Sequence, residues 1–511
     1  MRKYPIGNQD FKGIIEDGYL YVDKTRPIHT LIESGKYYFL SRPRRFGKSL
    51  LLSTIKEIFL GNKELFKGLW IEGKWNWEQK HPVIHIGISQ LDYQSLGLYD
   101  ALSMEMDDQA RKLGLSLTSK TLKNKFVELI EKASAQGKVV ILIDEYDKPI
   151  IDYLDDLSKA EENRRIFKDF YSVLKDADKY IRLLLITGVS KFARMSIFSD
   201  LNNLRDITIS PVSATLTGIT QAELENNFTE EIRELQQDNP TVLGDIKAWY
   251  NGYSWNEGKD TVYNPFSLLN FMADRRFGNY WYQTGTPTFL INHMRQKKEF
   301  LPERGIRLGE NALGNFDISH LSSFQLLFQT GYLTIKRYDT KAQMFELDYP
   351  NKEVEDSLND ALLSAYRNVF PGGDSLAVKS DLGEALKAGD IPALIRALDA
   401  LIAAIPYDHW KADSESIFHI IAQLSFQKIA ADISSEPHSA LGRCDILVRT
   451  SDYIYALELK LNATPQEALE QILNKGYLRP YQADKRKKLA VGINFSSDKR
   501  EVDGYKVEEV E

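Results

Sequence analysis

Five consecutive apolar residues closed by an acid, Val139 to Asp144 (VVILID), constrain the fold more than any other feature of the chain. A strand sends successive side chains to opposite faces, so a run with no polar member has no face to show to water. Such a strand belongs inside a sheet covered on both sides. Three more runs read as strands: the apolar stretch Lys36 to Ser41 (KYYFLS), the β-branched Pro82 to Ser89 (PVIHIGIS) and Ile181 to Thr187 (IRLLLIT). Between them, apolar residues recur at helical spacing over 50–59, 99–113, 122–135 and 159–175. Strands alternating with helices predict an α/β fold on a parallel sheet wrapped on both faces.

Open sheets of this kind collect ligands at the carboxyl ends of their strands. The first run leads into Arg42, Pro43, Arg44, Arg45, Phe46, Gly47, Lys48 and Ser49 (RPRRFGKS), followed by a helical pattern. That context fits a phosphate-binding loop with arginine in place of the first glycine. In such a loop, backbone N–H groups and a helix N-terminus face the phosphates, a lysine reaches the β- and γ-phosphates, and a hydroxyl ligates Mg²⁺. Lys48 and Ser49 fill the last two roles, Gly47 keeps the backbone close to phosphate, and Arg42 and Pro43 replace the flexible entry. The expected cofactors are ATP and Mg²⁺.

Asp144 and Glu145 end the buried strand. An aspartate there can hold Mg²⁺, and an adjacent glutamate can orient and deprotonate an attacking water. Alone, the pair reads more readily as capping or solvated acids. With Lys48 and Ser49 roughly a hundred residues upstream, on another strand end, it reads as the hydrolytic pair. Thr187 and Ser190, at the end of the last run, either sense a γ-phosphate or are turn residues of TGVS. Arg194 is either an arginine finger or a surface arginine.

From about Ser213 to Asn351 helices are broken by aromatic turns, including Trp249 to Trp255 (WYNGYSW). Asn264 and Pro265 predict an N-cap and first helical residue. Tyr332 to Tyr338 and Met344 to Tyr349 flank a polar turn, as hairpin strands do. Helices followed by a hairpin suggest a winged helix, whose use is either DNA binding or a lid over a nucleotide. The lid is favoured, because no helix rich in Arg, Lys, Asn or Gln stands out.

After the break at Pro371, Gly372 and Gly373 and two apolar-periodic helices, a second constellation follows. Cys444 to Arg449 (CDILVR) and Tyr453 to Lys460 (YIYALELK) predict strands joined by a Thr450–Asp452 turn. A hairpin centred between Ser451 and Asp452 sets Asp445 opposite Glu458, and Glu458 shares a face with Lys460. Two carboxylates can bind Mg²⁺, while a lysine beside the metal can position or activate water against a phosphodiester. An E-L-K triplet by itself is more often a surface strand. Thr464, Pro465 and Glu467 form a capping box with proline at the first helical position, so a helix carrying Gln471 starts there.

The aspartate and ExK spacing resembles the PD-(D/E)XK nuclease superfamily, with Cys444 standing where the superfamily has proline. That resemblance implies an upstream helical acid, Glu415 in SESIFH, as a further metal ligand, and matches Gln471 to a downstream glutamine. The series YVDKT at Tyr21, RPRRFGKSL at Arg42, IDEYDKP at Ile143, TGVSKF at Thr187, YNPFS at Tyr263, and GRCD with ELK near the end runs along nearly the whole chain. It resembles a bacterial family of AAA-ATPase-like proteins with a C-terminal PD-(D/E)XK domain, in which arginine at position 42 is normal. The implied architecture is an AAA-like P-loop ATPase domain over 1–212, a helical, winged-helix-like region over 213–370, a helical connector over 371–406, and a restriction-endonuclease-like α/β domain over 407–511. The implied function is an ATPase coupled to a Mg²⁺-dependent nuclease acting on DNA or RNA. Two rivals stand beside it: a nucleotide-dependent switch or interaction protein whose nuclease-like domain binds without cutting, and a nucleotide binder without turnover.

Composition narrows the partners. A net charge of −7 leaves no global footprint for nucleic acid, so contact with DNA or RNA falls to local basic clusters such as Arg42, Arg44 and Arg45, or KRKK at Lys485 to Lys488, the second reading more readily as a solvated face. Cys444 is the only cysteine, which fits a reducing compartment. Residues 1–8 lack the apolar core of a signal peptide, and the most apolar later stretch, 391–405, is too short to span a bilayer. A cytoplasmic protein is expected, without membrane partners and with oligomerisation left open.

Overall fold

A computed structural model of the chain describes residues 2–191, 197–198, 201–282, 290–291, 293–294, 305–309, 313, 322–367, 375–403, 422, 424–426, 432–435, 438–439, 442–443 and 445–510; Arg194, Glu415 and Cys444 lie outside them. The chain packs as two units, residues 1–289 with 302–355, and residues 290–301 with 356–511. Among the described residues no helix is long and apolar enough to cross a membrane.

The first unit is built on five parallel strands: β1 (Tyr37–Ser41), β2 (Val83–Gly87), β3 (Val139–Asp144), β4 (Ile181–Gly188) and β5 (Arg205–Asp206), in the order β2-β3-β4-β1-β5. Every residue of β1 and β3 is buried. Period-two alternation divides β3 between two core layers: Ile141 and Ile143 join Tyr37, Phe39, Leu184 and Ile186, whereas Val140 and Leu142 join Tyr38, Leu40, Leu183 and Leu185. Helices Leu122–Ser134 and Leu157–Ser172 cover the first layer with Phe126, Leu129, Phe167 and Phe170. Helix α1 (Lys48–Leu60) and helix Thr25–Ser34 cover the second with Leu52, Ile55, Leu31 and Ile32. Each such side chain stabilises by ~1.5–3 kcal/mol when removed from water. The uninterrupted apolar run is therefore what holds β3 in mid-sheet. Helix α1 starts at Lys48, two residues before the apolar pattern begins, because its polar first turn leaves no trace in hydrophobic periodicity.

Further along the first unit, the ribbon β6 (Ile219–Thr220) and β7 (Val262–Tyr263) precedes α2 (Pro265–Asp274), whose N-cap Asn264 accepts from Ser267 N. The expected hairpin is β9 (Thr334–Asp339) and β10 (Met344–Asp348); β8 (Ile306–Gly309) adds a third strand, and α3 (Ser323–Thr330) precedes β9. Helix α4 (Lys352–Arg367) begins in this unit.

In the second unit, β11 (Asp432–Ser435), β14 (Ile446–Arg449), β15 (Tyr453–Leu461), β16 (Lys487–Ser496) and β17 (Glu501–Val510) form one sheet in that order, and β12 (His438–Ser439) with β13 (Gly442–Arg443) a small ribbon. Only β15 and β16 pair in parallel, so the chain crosses over between them, and helix α5 (Pro465–Lys475) makes that crossing. The capping box at Thr464 is formed in full. Gly492 permits the close approach of α5: a Cβ there would lie 2.5 Å from Leu469 N and from Pro465 O.

Candidate functional site

β4 lies between β1 and β3, so the loop after β1 and the acids ending β3 share one edge of the sheet. Gly47 takes φ 81° and Arg45 φ 65°, which turns the chain from β1 into the first turn of α1. A Cβ on Gly47 would meet nothing within 4 Å, so the face on which a phosphate would rest is open. Lys48 is buried, and its Nζ donates to the carbonyls of Arg42 and Pro43, both at 2.9 Å. An ammonium has three donors, so one remains for a ligand. Burial lowers the Lys48 pKa, while Asp144 leads the groups that oppose this by favouring the charged form.

At the end of β3, Asp144 accepts from Thr187 Oγ1 at 2.5 Å. Glu145 has φ 55°, an unfavourable conformation for a residue of its bulk, of the kind that clusters at functional sites. Asp147, which sequence reasoning missed, is buried and accepts from Val189 N (3.1 Å), Ser190 N (2.6 Å) and Ser190 Oγ (2.6 Å). It ties the end of β3 to the end of β4, and burial raises its pKa. A third acid within four residues of Asp144 was the available signal.

The loop is braced from behind. The Arg42 guanidinium lies 4.1 Å from the Trp255 ring centroid and donates to the carbonyls of Ser41, Thr208 and Ser213 at 2.8–2.9 Å, and burial lowers its pKa to about 9. Its side chain therefore holds the loop in place. Phe46 packs edge-on against Tyr253 and Trp255, with centroids at 4.6 and 5.2 Å, and exposed Arg45 sits over Phe266 at 5.0 Å. The Arg44 carbonyl accepts from Trp281 Nε1 at 3.2 Å. None of these aromatic partners was singled out from the sequence, although WYNGYSW held two of them. Ser49 is half-buried in the first turn of α1. Beside Gly47, a cavity of ≈ 90 Å³ is lined by Tyr21, Val22, Leu50, Leu216 and Thr217, whose buried Oγ1 has no hydrogen-bond partner.

In the second unit the hairpin register pairs Ile446 with Leu457 and Leu447 with Ala456. Extended by one residue, it sets Asp445 opposite Glu458, the register that the sequence predicts. Asp445 Oδ2 accepts from Leu459 N at 2.8 Å. Glu458 is 1 % exposed; its Oε1 accepts from Lys460 Nζ at 3.2 Å and from Gln471 Nε2, and its Oε2 is buried with no partner. Burial, then the nearby Asp445 charge, pushes its pKa up to about 7. A buried carboxylate oxygen without a donor suits a cation. Among the described residues no group of three or more His, Cys, Asp or Glu is placed to hold a metal. Of the KRKK run, Arg486 pairs with Asp484 at 2.6 Å and Lys488 is buried, which leaves Lys485 and Lys487 exposed.

Residues 5–198 match the family described as predicted AAA-ATPase, and residues 413–504 match the PD-(D/E)XK nuclease superfamily. A protein of Azotobacter chroococcum mcd 1, described as an uncharacterized protein in the vnfD 5' region, is 39 % identical over 523 residues, covering 99 % of this chain and 99 % of its own length. No solved structure matches the chain. The chain belongs to the family of AAA-ATPase-like proteins that end in a PD-(D/E)XK nuclease superfamily domain.

Proposed function

We propose that the chain is an ATP- and Mg²⁺-dependent ATPase whose nucleotide state governs a metal-dependent nuclease centre acting on DNA or RNA phosphodiesters. The observation that carries this reading is a pair of complementary buried charges. Lys48 keeps one donor for an anion, and Glu458 keeps one oxygen for a cation.

In the first centre, Lys48 would neutralise the β- and γ-phosphates, Ser49 and Asp144 would hold Mg²⁺, and Glu145 would orient and deprotonate the attacking water. Thr187 fixes the Asp144 carboxylate through its hydroxyl. The apolar cavity beside Gly47 suits the base, with the Thr217 hydroxyl available to its polar edge. In the second centre, Asp445 and Glu458 would hold the metal, which would supply Lewis acidity at the phosphodiester; Glu415 is the candidate third ligand. Lys460 positions the water, and Gln471 orients Glu458.

The test uses the purified full chain. Phosphate release from Mg²⁺–ATP is compared for wild type, Lys48→Ala and Glu145→Gln, and cleavage of single- and double-stranded DNA and RNA is assayed with Mg²⁺, with and without ATP. Release that Lys48→Ala leaves intact sinks the ATPase half. Absent cleavage, with Glu458→Ala indistinguishable from wild type, sinks the nuclease half.

A further inference from the structure

Helix α4 runs from Lys352 to Arg367; its first four residues belong to the first unit, and from Asp356 onward it belongs to the second. Its first turn carries Glu353, fully buried, whose Oε1 accepts from Trp281 N at 2.7 Å. Trp281 in turn donates its indole Nε1–H to the carbonyl of Arg44, the third residue of the phosphate loop. Residues at the end of α3 approach the same loop. A Cβ on Gly331, at φ +93°, would lie 2.6 Å from Pro43 Cβ and 3.4 Å from Trp281 Cζ2, and Tyr332 meets the Trp281 ring at 5.1 Å. Gln329, from α3, accepts from Lys191 N, just beyond the end of β4.

Two loop carbonyls already engage Lys48, and the next one engages Trp281. A phosphate drawn to the remaining Lys48 donor acts on the same three peptide units. Any adjustment of the backbone at residues 42–44 then changes the bond that Trp281 makes. Trp281 carries this to a carboxylate with no freedom to move independently, because it is buried in the first turn of a helix.

We propose that Arg44, Trp281 and Glu353 form the route by which nucleotide at the phosphate loop is communicated to α4, and so to the part of the chain bearing the C-terminal carboxylates. Trp281 and Glu353 are positioning residues in this scheme and touch no substrate. The inference rests on the reading of the loop as an ATP site, and goes beyond it by naming how that site is heard elsewhere.

The experiment measures amide hydrogen exchange over 356–367 in the full chain, with and without Mg²⁺–ATP, alongside ATP affinity. In wild type, ATP is expected to slow exchange in this helix about fivefold, the equivalent of a hydrogen bond's net worth in opening free energy. Trp281→Phe keeps an aromatic ring and removes the donor, and Glu353→Leu removes the acceptor. Both are expected to bind ATP within threefold of wild type yet to lose the slowing, while Glu353→Gln, which retains an acceptor for Trp281 N, restores it. Slowing that persists in ATP-bound Trp281→Phe overturns the route, as does wild type that binds ATP without any change over 356–367. If Glu353→Leu fails to fold, Trp281→Phe decides alone. A wild type that binds no ATP instead defeats the loop reading, and the route falls with it.

Discussion

The phosphate loop and the C-terminal hairpin each bury a charge, and they treat it differently. Lys48 is satisfied by two backbone carbonyls at 2.9 Å, and these belong to a loop that aromatic side chains brace from behind. Glu458 receives its bonds on one oxygen only, from Lys460 and Gln471, and leaves the other dry and without a partner. An unpartnered buried carboxylate oxygen costs ~1–3 kcal/mol or more, so the hairpin holds its site at the expense of stability, whereas the loop offsets part of its lysine's desolvation with two carbonyls and the nearby Asp144 charge. On the proposed reading, the first charge awaits an anion and the second a cation.

The sharpest way to break this contrast is to remove each charge. Lys48→Ala is expected to lower ATP turnover by ~10²–10³, the usual loss when one preorganised charge-stabilising group is deleted. Glu458→Ala is expected to lower Mg²⁺-dependent cleavage by a comparable factor while raising the melting temperature or leaving it unchanged, since the unpaired oxygen is removed with the side chain. Phosphate release, strand cleavage and thermal melts on the same preparations check both. Clear destabilisation by Glu458→Ala would show that the hairpin is not strained at this residue.

A buried acid behind the loop offers a second, smaller contrast. Burial raises the Glu353 pKa from the ordinary 4.5 to about 7. Between those values the folded chain holds a proton that the unfolded chain has released. Stability is therefore complete below about 4.5 and falls as pH rises through about 7, by on the order of 3 kcal/mol in total. Glu353→Gln is expected to flatten that slope, read as urea midpoints from pH 4.5 to 8 by tryptophan emission. An unchanged slope would mean that the site admits water and that the brace is looser than its contacts indicate.

Gln471→Ala separates the orientation of Glu458 from its charge. A group that orients a metal ligand typically contributes 10–100-fold in affinity, so Mg²⁺ binding is expected to weaken by that factor in an equilibrium titration, with ATP turnover unchanged. An unaltered Mg²⁺ affinity would leave Lys460 as the sole support of the carboxylate.

The two centres were unequally legible in the sequence, for the same physical reason that they differ in build. Asp445, Glu458 and Lys460 lie on one hairpin, so the turn position and a period of two were enough to predict their register. Lys48 and Asp144 were found as strand-end chemistry, but the order that sets β4 between their strands is a long-range property with no local pattern. The brace was least visible. Trp255, Phe266 and Trp281 look like ordinary core aromatics until the fold brings them behind residues 42–46, and Asp147 looks like one acid among several until its carboxylate is found spanning two strand ends. The start of α1 was lost for a related reason, as Lys48 and Ser49 begin a helix whose apolar periodicity starts only at Leu50 and no side-chain cap marks it.

The smallest expected effect tests whether the second centre depends on its helix as a whole or only on the contact at Gln471. Thr464 and Glu467 exchange capping bonds at the start of α5, at 3.2 and 3.0 Å, and Pro465 fixes the first helical φ. Thr464→Ala removes one of those bonds and costs about 1 kcal/mol. Gln471 lies nearly two turns further on, and the close approach of α5 to Gly492 keeps the helix seated when its end frays. Thr464→Ala is therefore expected to lower the melting temperature of the second unit by a few degrees and to leave Mg²⁺ affinity within twofold of wild type. A loss of affinity as large as that of Gln471→Ala would mean that the cap sets the position of the glutamine, and the site would then have to be read as a property of the crossover rather than of the hairpin.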